Sequence, residues 1–74
     1  MSATVEEVVA GVLKVPVTAV TDALEFNGVA EWDSLNHVNL MLKLEEVYGV
    51  TIDEERMVEL TSVRAIREFV AAHA

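Results

Sequence analysis

Apolar residues recur at helical spacing in four stretches of this chain, and the stretches differ in strength. Val5, Val8, Val9 and Val12 follow the i, i+3, i+4, i+7 rule of an amphipathic helix. Ser2 or Thr4 is its predicted cap, and Glu6 and Glu7 fall in the first turn, where the macrodipole favours negative charge. Valines are mediocre helix formers, so this helix needs tertiary packing to persist. The strongest pattern runs over Ser34–Tyr48 and stops at Gly49, a residue suited to the left-handed conformation that ends helices. A short third helix is predicted from Glu54 to about Leu60 behind an Asp53 cap, with Met57 and Leu60 inward. A fourth follows Thr61 or Ser62 and carries Val63, Ile66, Phe69 and Val70 as its buried stripe, with Ala71 to Ala74 fraying at the end.

Between the first two helices lies a long connection from Lys14 to Trp32. Pro16 is expected to close the first helix and to push Val15 out of the helical region. Val17 to Asp22 has room for one short turn, and Asn27-Gly28 signals a tight one. Structureless loops of this length are uncommon in small domains. Val15, Val17, Val20, Leu24 and Phe26 therefore predict a loop packed on the core.

The second helix has two apolar faces. On a wheel of about 100° per residue, Leu40, Met41, Leu44, Val47 and Tyr48 form one broad face, the core side. Leu35, Val38 and Leu42 fall nearly opposite, with Asn36, Asn39, Lys43 and Glu46 on one flank and Glu45 on the other. The second stripe is either covered by the Lys14–Trp32 connection or left exposed for a partner.

These elements amount to an all-α fold, a four-helix bundle with a short third helix and a long loop between helices one and two. Seventy-four residues make one domain and a modest core. A hydrophobic fraction of 53% excludes an acidic disordered tail. Thirteen acidic against five basic residues, a net charge of −8, argue against nucleic acid and anionic membrane surfaces. Partners with basic patches are the natural complement of such a charge. No stretch is long and apolar enough to span a bilayer, and the N-terminus lacks the features of a secretory signal. A chain without cysteine suits a reducing cytoplasm, and any thiol chemistry it supports must come from a bound group.

Asp33-Ser34-Leu35 opens the second helix. Taken alone, the tripeptide is a helix cap, since Asp and Ser are favoured N-cap residues. Its placement also puts one hydroxyl where free backbone N–H groups and the macrodipole favour a phosphate. Across the whole chain the pattern resembles the acyl and peptidyl carrier protein family. The likeness lies in a first helix, a long loop, Trp32-Asp33-Ser34-Leu35-Asn36-His37-Val38, an acidic helix end at Leu44-Glu45-Glu46-Val47-Tyr48-Gly49-Val50, Ile52-Asp53-Glu54-Glu55, and Leu60-Thr61-Ser62-Val63.

That resemblance implies that Ser34 is esterified with 4′-phosphopantetheine from coenzyme A by a phosphopantetheinyl transferase, with Asp33 helping to position the reaction. The arm's thiol then holds an acyl cargo as a thioester, and the chain itself catalyses nothing. Leu35, Val38 and Leu42 match the apolar positions by which such carriers dock, and Glu45 and Glu46 match two of the acidic ones; Trp32, beside the serine, joins the expected partner surface. The implied partners are a loading ligase or acyltransferase and ketosynthase or condensation-type enzymes with basic docking surfaces, met by a monomer. Housekeeping fatty-acid carriers are acidic where this chain has Asn36 and Asn39, and Trp32 and Lys43 depart further. These differences favour a polyketide or related specialised pathway, with an aminoacyl or peptidyl cargo as the alternative and a non-covalent acidic interaction module as the rival of another class. Met1 and the compact ends favour a free-standing protein.

Other constellations carry less. His37 is expected on the core face beside Met41 as a packing residue, and Trp32 as a loop anchor unless it proves exposed. Ser34 and His37 diverge on a helix and lack an oxyanion hole, which excludes a hydrolase reading. The span from Asp22 to Asp33 places Leu24 and Phe26 where a calcium loop needs oxygen ligands. Asp53, Glu54 and Glu55 read as an acid-rich first turn rather than a metal site, and His73 as a tail residue.

Overall fold

The computed structural model describes residues 4–73, and among them every regular element is helical. Four α-helices follow in order: α1, Val5–Leu13; α2, Ser34–Tyr48; α3, Glu54–Glu59; and α4, Val63–His73, with a 3₁₀ turn at Val17–Ala19. Thr4 caps α1 in a capping box, its hydroxyl accepting from the Glu7 N–H at 3.1 Å while Glu7 Oε1 accepts from the Thr4 N–H at 2.9 Å. Those hydrogen bonds hold the Glu7 carboxyl below its ordinary value. The other predicted cap, Ser2, lies outside the described residues, as does Ala74. Lys14, in the left-handed region at φ 58°, ends α1 before Pro16 is reached. Pro16 instead starts the 3₁₀ turn.

The core gathers Val5, Val8, Val9 and Leu13 of α1, Leu40, Met41 and Leu44 of α2, and Val63, Ile66 and Phe69 of α4. Val20, Trp32, Ile52 and Leu60 complete it from the connections. Helix α1 packs on both α2 and α4. Burial pushes the Tyr48 phenol up, and the Glu6 and Glu7 carboxylates add to the shift. Arg67 joins α4 to α1 and to the loop, its guanidinium 2.7 Å from Glu6 and 3.0 Å from Asp22.

The long connection is tied to the core by backbone bonds. The Phe26 N–H donates to the Thr61 carbonyl at 2.8 Å, and the Val63 N–H donates to the Leu24 carbonyl at 2.9 Å, a short antiparallel contact at the entry to α4. The second of these satisfies a donor that a helix start leaves open. Asn27 takes a positive φ of 63° in the tight turn. A Cβ on Gly28 would stand 2.9 Å from the Glu25 carbonyl oxygen, so that close approach needs glycine. Val20 is buried and Leu24 and Phe26 are half-buried, as the packed-loop expectation requires. Val17 departs from it: on the 3₁₀ turn it faces outward, and Val20 turns in instead.

The later helices follow the expected bounds except at the end of α4. That helix continues through Ala71 and Ala72 to His73, with His73 Nδ1 2.9 Å from the Phe69 carbonyl, where the sequence predicts fraying. Gly49 ends α2 at φ 67°, and Asp53 caps α3 by accepting from the Arg56 N–H at 2.8 Å. Leu60 follows α3 as its cap and is buried. Of the two proposed caps of α4, Ser62 does the capping, its Oγ accepting from the Ala65 N–H at 3.0 Å.

Candidate functional site

Ser34 is the first residue of α2 and is exposed. Asp33 precedes it in extended backbone, and its Oδ1 accepts from the Asn36 N–H at 2.9 Å while its carbonyl accepts from the His37 N–H at 2.8 Å. These two bonds hold the start of the helix and leave the Ser34 and Leu35 N–H groups to face what lies beyond it. No hydrogen bond engages the Ser34 hydroxyl among the described residues. The chain has three serines. Ser62 spends its hydroxyl as the α4 cap, and Ser2 is outside the described residues.

Behind the serine stands a buried polar clamp. Trp32 is fully buried, and its Nε1–H donates to His37 Nδ1 at 3.0 Å. On the far side His37 Nε2 meets the Met57 carbonyl at 2.9 Å. Trp32 only donates and the carbonyl only accepts, so the network assigns the imidazole proton to Nε2. Phe26 packs edge-on to the same ring at 5.2 Å. The segment before Ser34, the first turn of α2 and the middle of α3 are thus locked to one side chain. His37 is the packing residue expected. Trp32 is the loop anchor, and complete burial removes it from the partner surface.

The second stripe of α2 is exposed, which resolves the alternatives left open by the sequence. Relative exposures are 71% for Leu35, 41% for Val38 and 56% for Leu42, against 0–1% for Leu40, Met41 and Leu44 on the other face. The two flanking glutamates differ. Glu46 is exposed and stands 3.6 Å from the Lys43 ammonium. Glu45 is half-buried, and its Oε2 accepts from the Ile52 N–H at 2.7 Å, fixing the turn between α2 and α3. Its carboxylate is a structural acceptor, a role the helical wheel gave no sign of.

Asn36, one of the departures from an acidic helix start, donates through Nδ2 to the Glu31 carbonyl at 2.7 Å. A carboxylate in its place has no proton to give. Val58 on α3, absent from the sequence expectations, is 71% exposed. An open groove of about 320 Å³ runs between α3 and α4, floored by Leu60, Ala65 and Phe69, and includes no residue of α2 or of the loop. No helix is long and apolar enough to cross a membrane among the described residues, and these hold no cluster of three or more candidate metal ligands.

Residues 3–70 match the family model described as the phosphopantetheine attachment site. The chain belongs to this carrier family. An acyl carrier protein of Rubrobacter xylanophilus is 33% identical over 69 residues, 93% of this chain and 85% of that protein. The polyketide-8 synthase acyl carrier protein 2 of Streptomyces avermitilis is 33% identical over 66 residues, 89% of this chain and 76% of that one. As a member, this chain is an acyl carrier and not an enzyme, its cofactor is 4′-phosphopantetheine, and biosynthetic enzymes are its partners. The start of α2 fits such a group: a phosphodiester there meets unpaired N–H groups and the positive helix end.

Proposed function

We propose that Ser34 is the attachment point, and that the arm on it carries an acyl group between the enzymes of a polyketide or related specialised pathway. The observation that carries this reading is the exposed, unengaged Ser34 hydroxyl at the start of α2. Asp33 shapes the site by capping the helix, which keeps the N–H groups of Ser34 and Leu35 directed at the phosphodiester. The arm supplies a thiol, which a chain without cysteine lacks, and holds the cargo as a thioester. Because Trp32 and His37 clamp the segment behind Ser34, the attachment point is rigid and the mobility resides in the arm.

The partners of this reading are a phosphopantetheinyl transferase, a loading ligase or acyltransferase, and a ketosynthase or condensation-type enzyme. The exposed stripe Leu35, Val38 and Leu42 is their contact surface, with Glu46 at its far end. The specialised pathway is supported by the polyketide synthase carrier among the relatives and by asparagine at positions 36 and 39. Residues 1–74 act as one carrier unit in a reducing compartment.

The test is reaction with coenzyme A and a phosphopantetheinyl transferase, read by intact mass. The wild-type chain is expected to gain one phosphopantetheine and Ser34→Ala none, with unchanged helical circular dichroism. Equal labelling of the variant would falsify the assignment.

A further inference from the structure

We propose that His37 is a positioning residue for the attachment reaction: its ring, hydrogen-bonded on both sides, fixes the backbone that aims the Ser34 hydroxyl at coenzyme A. The inference rests on the carrier reading and concerns how its serine is made ready to react.

In that reaction Ser34 Oγ bonds to the phosphorus that bears the pantetheine, the pyrophosphate bridge breaks, and adenosine 3′,5′-bisphosphate leaves. The hydroxyl proton passes to a base of the transferase. Such an attack needs the oxygen in line with the leaving group at about 3–3.5 Å, and a misplacement of about 1 Å can cost about a hundredfold in rate. The Ser34 side chain has no hydrogen bond of its own among the described residues to hold it there. Its aim is inherited from the backbone around it.

That backbone is fastened locally. Asn36 Nδ2 donates to the Glu31 carbonyl, and Asp33 Oδ1 accepts from the Asn36 N–H. The Trp32 N–H donates to the Val29 carbonyl at 3.1 Å, and the Trp32 carbonyl accepts from the Asn27 N–H at 3.0 Å. All of these bonds close within the loop and the first turn of α2. His37, one turn beyond Ser34, carries the fastening across to α3: Nδ1 accepts from the Trp32 indole at 3.0 Å and Nε2 meets the Met57 carbonyl at 2.9 Å. Trp32 is fully buried and His37 is 8% exposed, so water competes little for either bond.

Each ring nitrogen is used once, as acceptor at Nδ1 and donor at Nε2. A phenyl ring would fill the same space and offer neither function. A glutamine amide offers one acceptor and one donor. Packing and positioning can therefore be separated by substitution at this one residue.

The experiment is single-turnover modification of the whole chain, with coenzyme A saturating and a phosphopantetheinyl transferase in excess. It is run at a temperature where circular dichroism shows each variant fully helical. His37→Phe is expected to lower the maximal rate about tenfold or more, while the transferase concentration giving half that rate stays within about twofold of wild type. His37→Gln should recover the rate to within about threefold. Trp32→Phe removes the indole donor and should fall with His37→Phe, and the double variant should fall no further, as two residues acting through one hydrogen bond require. A variant that only unfolds in part presents less substrate, which raises the half-maximal concentration and leaves the maximal rate alone. That pattern, a wild-type rate in His37→Phe, or a His37→Gln as slow as His37→Phe would overturn the proposal. If His37→Phe loses its helical signal, Trp32→Phe is judged by the same two readings. A wild-type chain that takes no arm overturns the carrier reading itself, and this inference falls with it.

Discussion

The two apolar faces of α2 are built from the same kinds of residue and meet opposite fates. Leu40, Met41 and Leu44 are sealed against α1 and the rest of the core, while Leu35, Val38 and Leu42 face outward. Hydropathy alone does not separate them, since leucine dominates both. What separates them is where the long connection is fastened. Its anchors are Thr61 and Val63 at the start of α4 and His37 on α2, so it closes one side of the molecule and leaves the outward stripe uncovered. One helix thereby serves as core element and as contact surface, with Ser34 at its start.

The largest expected effect is on the inner face. Leu44→Ala leaves a cavity among fully buried neighbours and should cost about 2–5 kcal/mol, lowering Tm by about 10 °C or more. A shift of only a degree or two in a thermal melt would show that this face does not carry the fold. Next comes the clamp that holds the loop to that side. His37→Phe keeps the ring volume but strands the buried Trp32 N–H, at about 1–3 kcal/mol. A red shift of Trp32 fluorescence should accompany the loss, and an unmoved emission maximum would argue against the clamp.

Glu45→Lys probes the flank, where the two faces meet. It removes the acceptor of the Ile52 N–H and should cost about 1–2 kcal/mol by denaturant titration. A variant as stable as the parent would return Glu45 to the role of a surface charge free to engage partners. The smallest stability effect belongs to the outer face. Leu42→Ala should change stability by no more than about 0.5 kcal/mol while slowing modification by the transferase. A large drop in Tm with Leu42→Ala would merge the two faces into one core.

Much of this was legible from local signals. The bounds of α2 follow from Asp33 as cap and Gly49 as stop, and Asp53 announced α3. Burial of Val20, Leu24 and Phe26 followed from the improbability of a long, apolar, unpacked loop. The rest depended on how turns bring side chains to their partners, even partners only five or seven residues apart, as in Trp32–His37 and Glu45–Ile52. Nothing near Glu45 signals that its carboxylate turns to Ile52, and nothing near Trp32 says whether the indole lies inside or beside the serine. The exposure of Leu35, Val38 and Leu42 depended likewise on the path of the loop that precedes α2, which periodicity within the helix does not encode. Val17 shows the same limit in reverse, an apolar loop residue that the 3₁₀ turn leaves outside.

The most direct test of the central claim is fragment mass spectrometry of the chain after reaction with coenzyme A and a transferase. The account predicts one phosphopantetheine per chain, located on Ser34 and on no other residue. An arm found on Ser62, on Ser2 or on any threonine would contradict it.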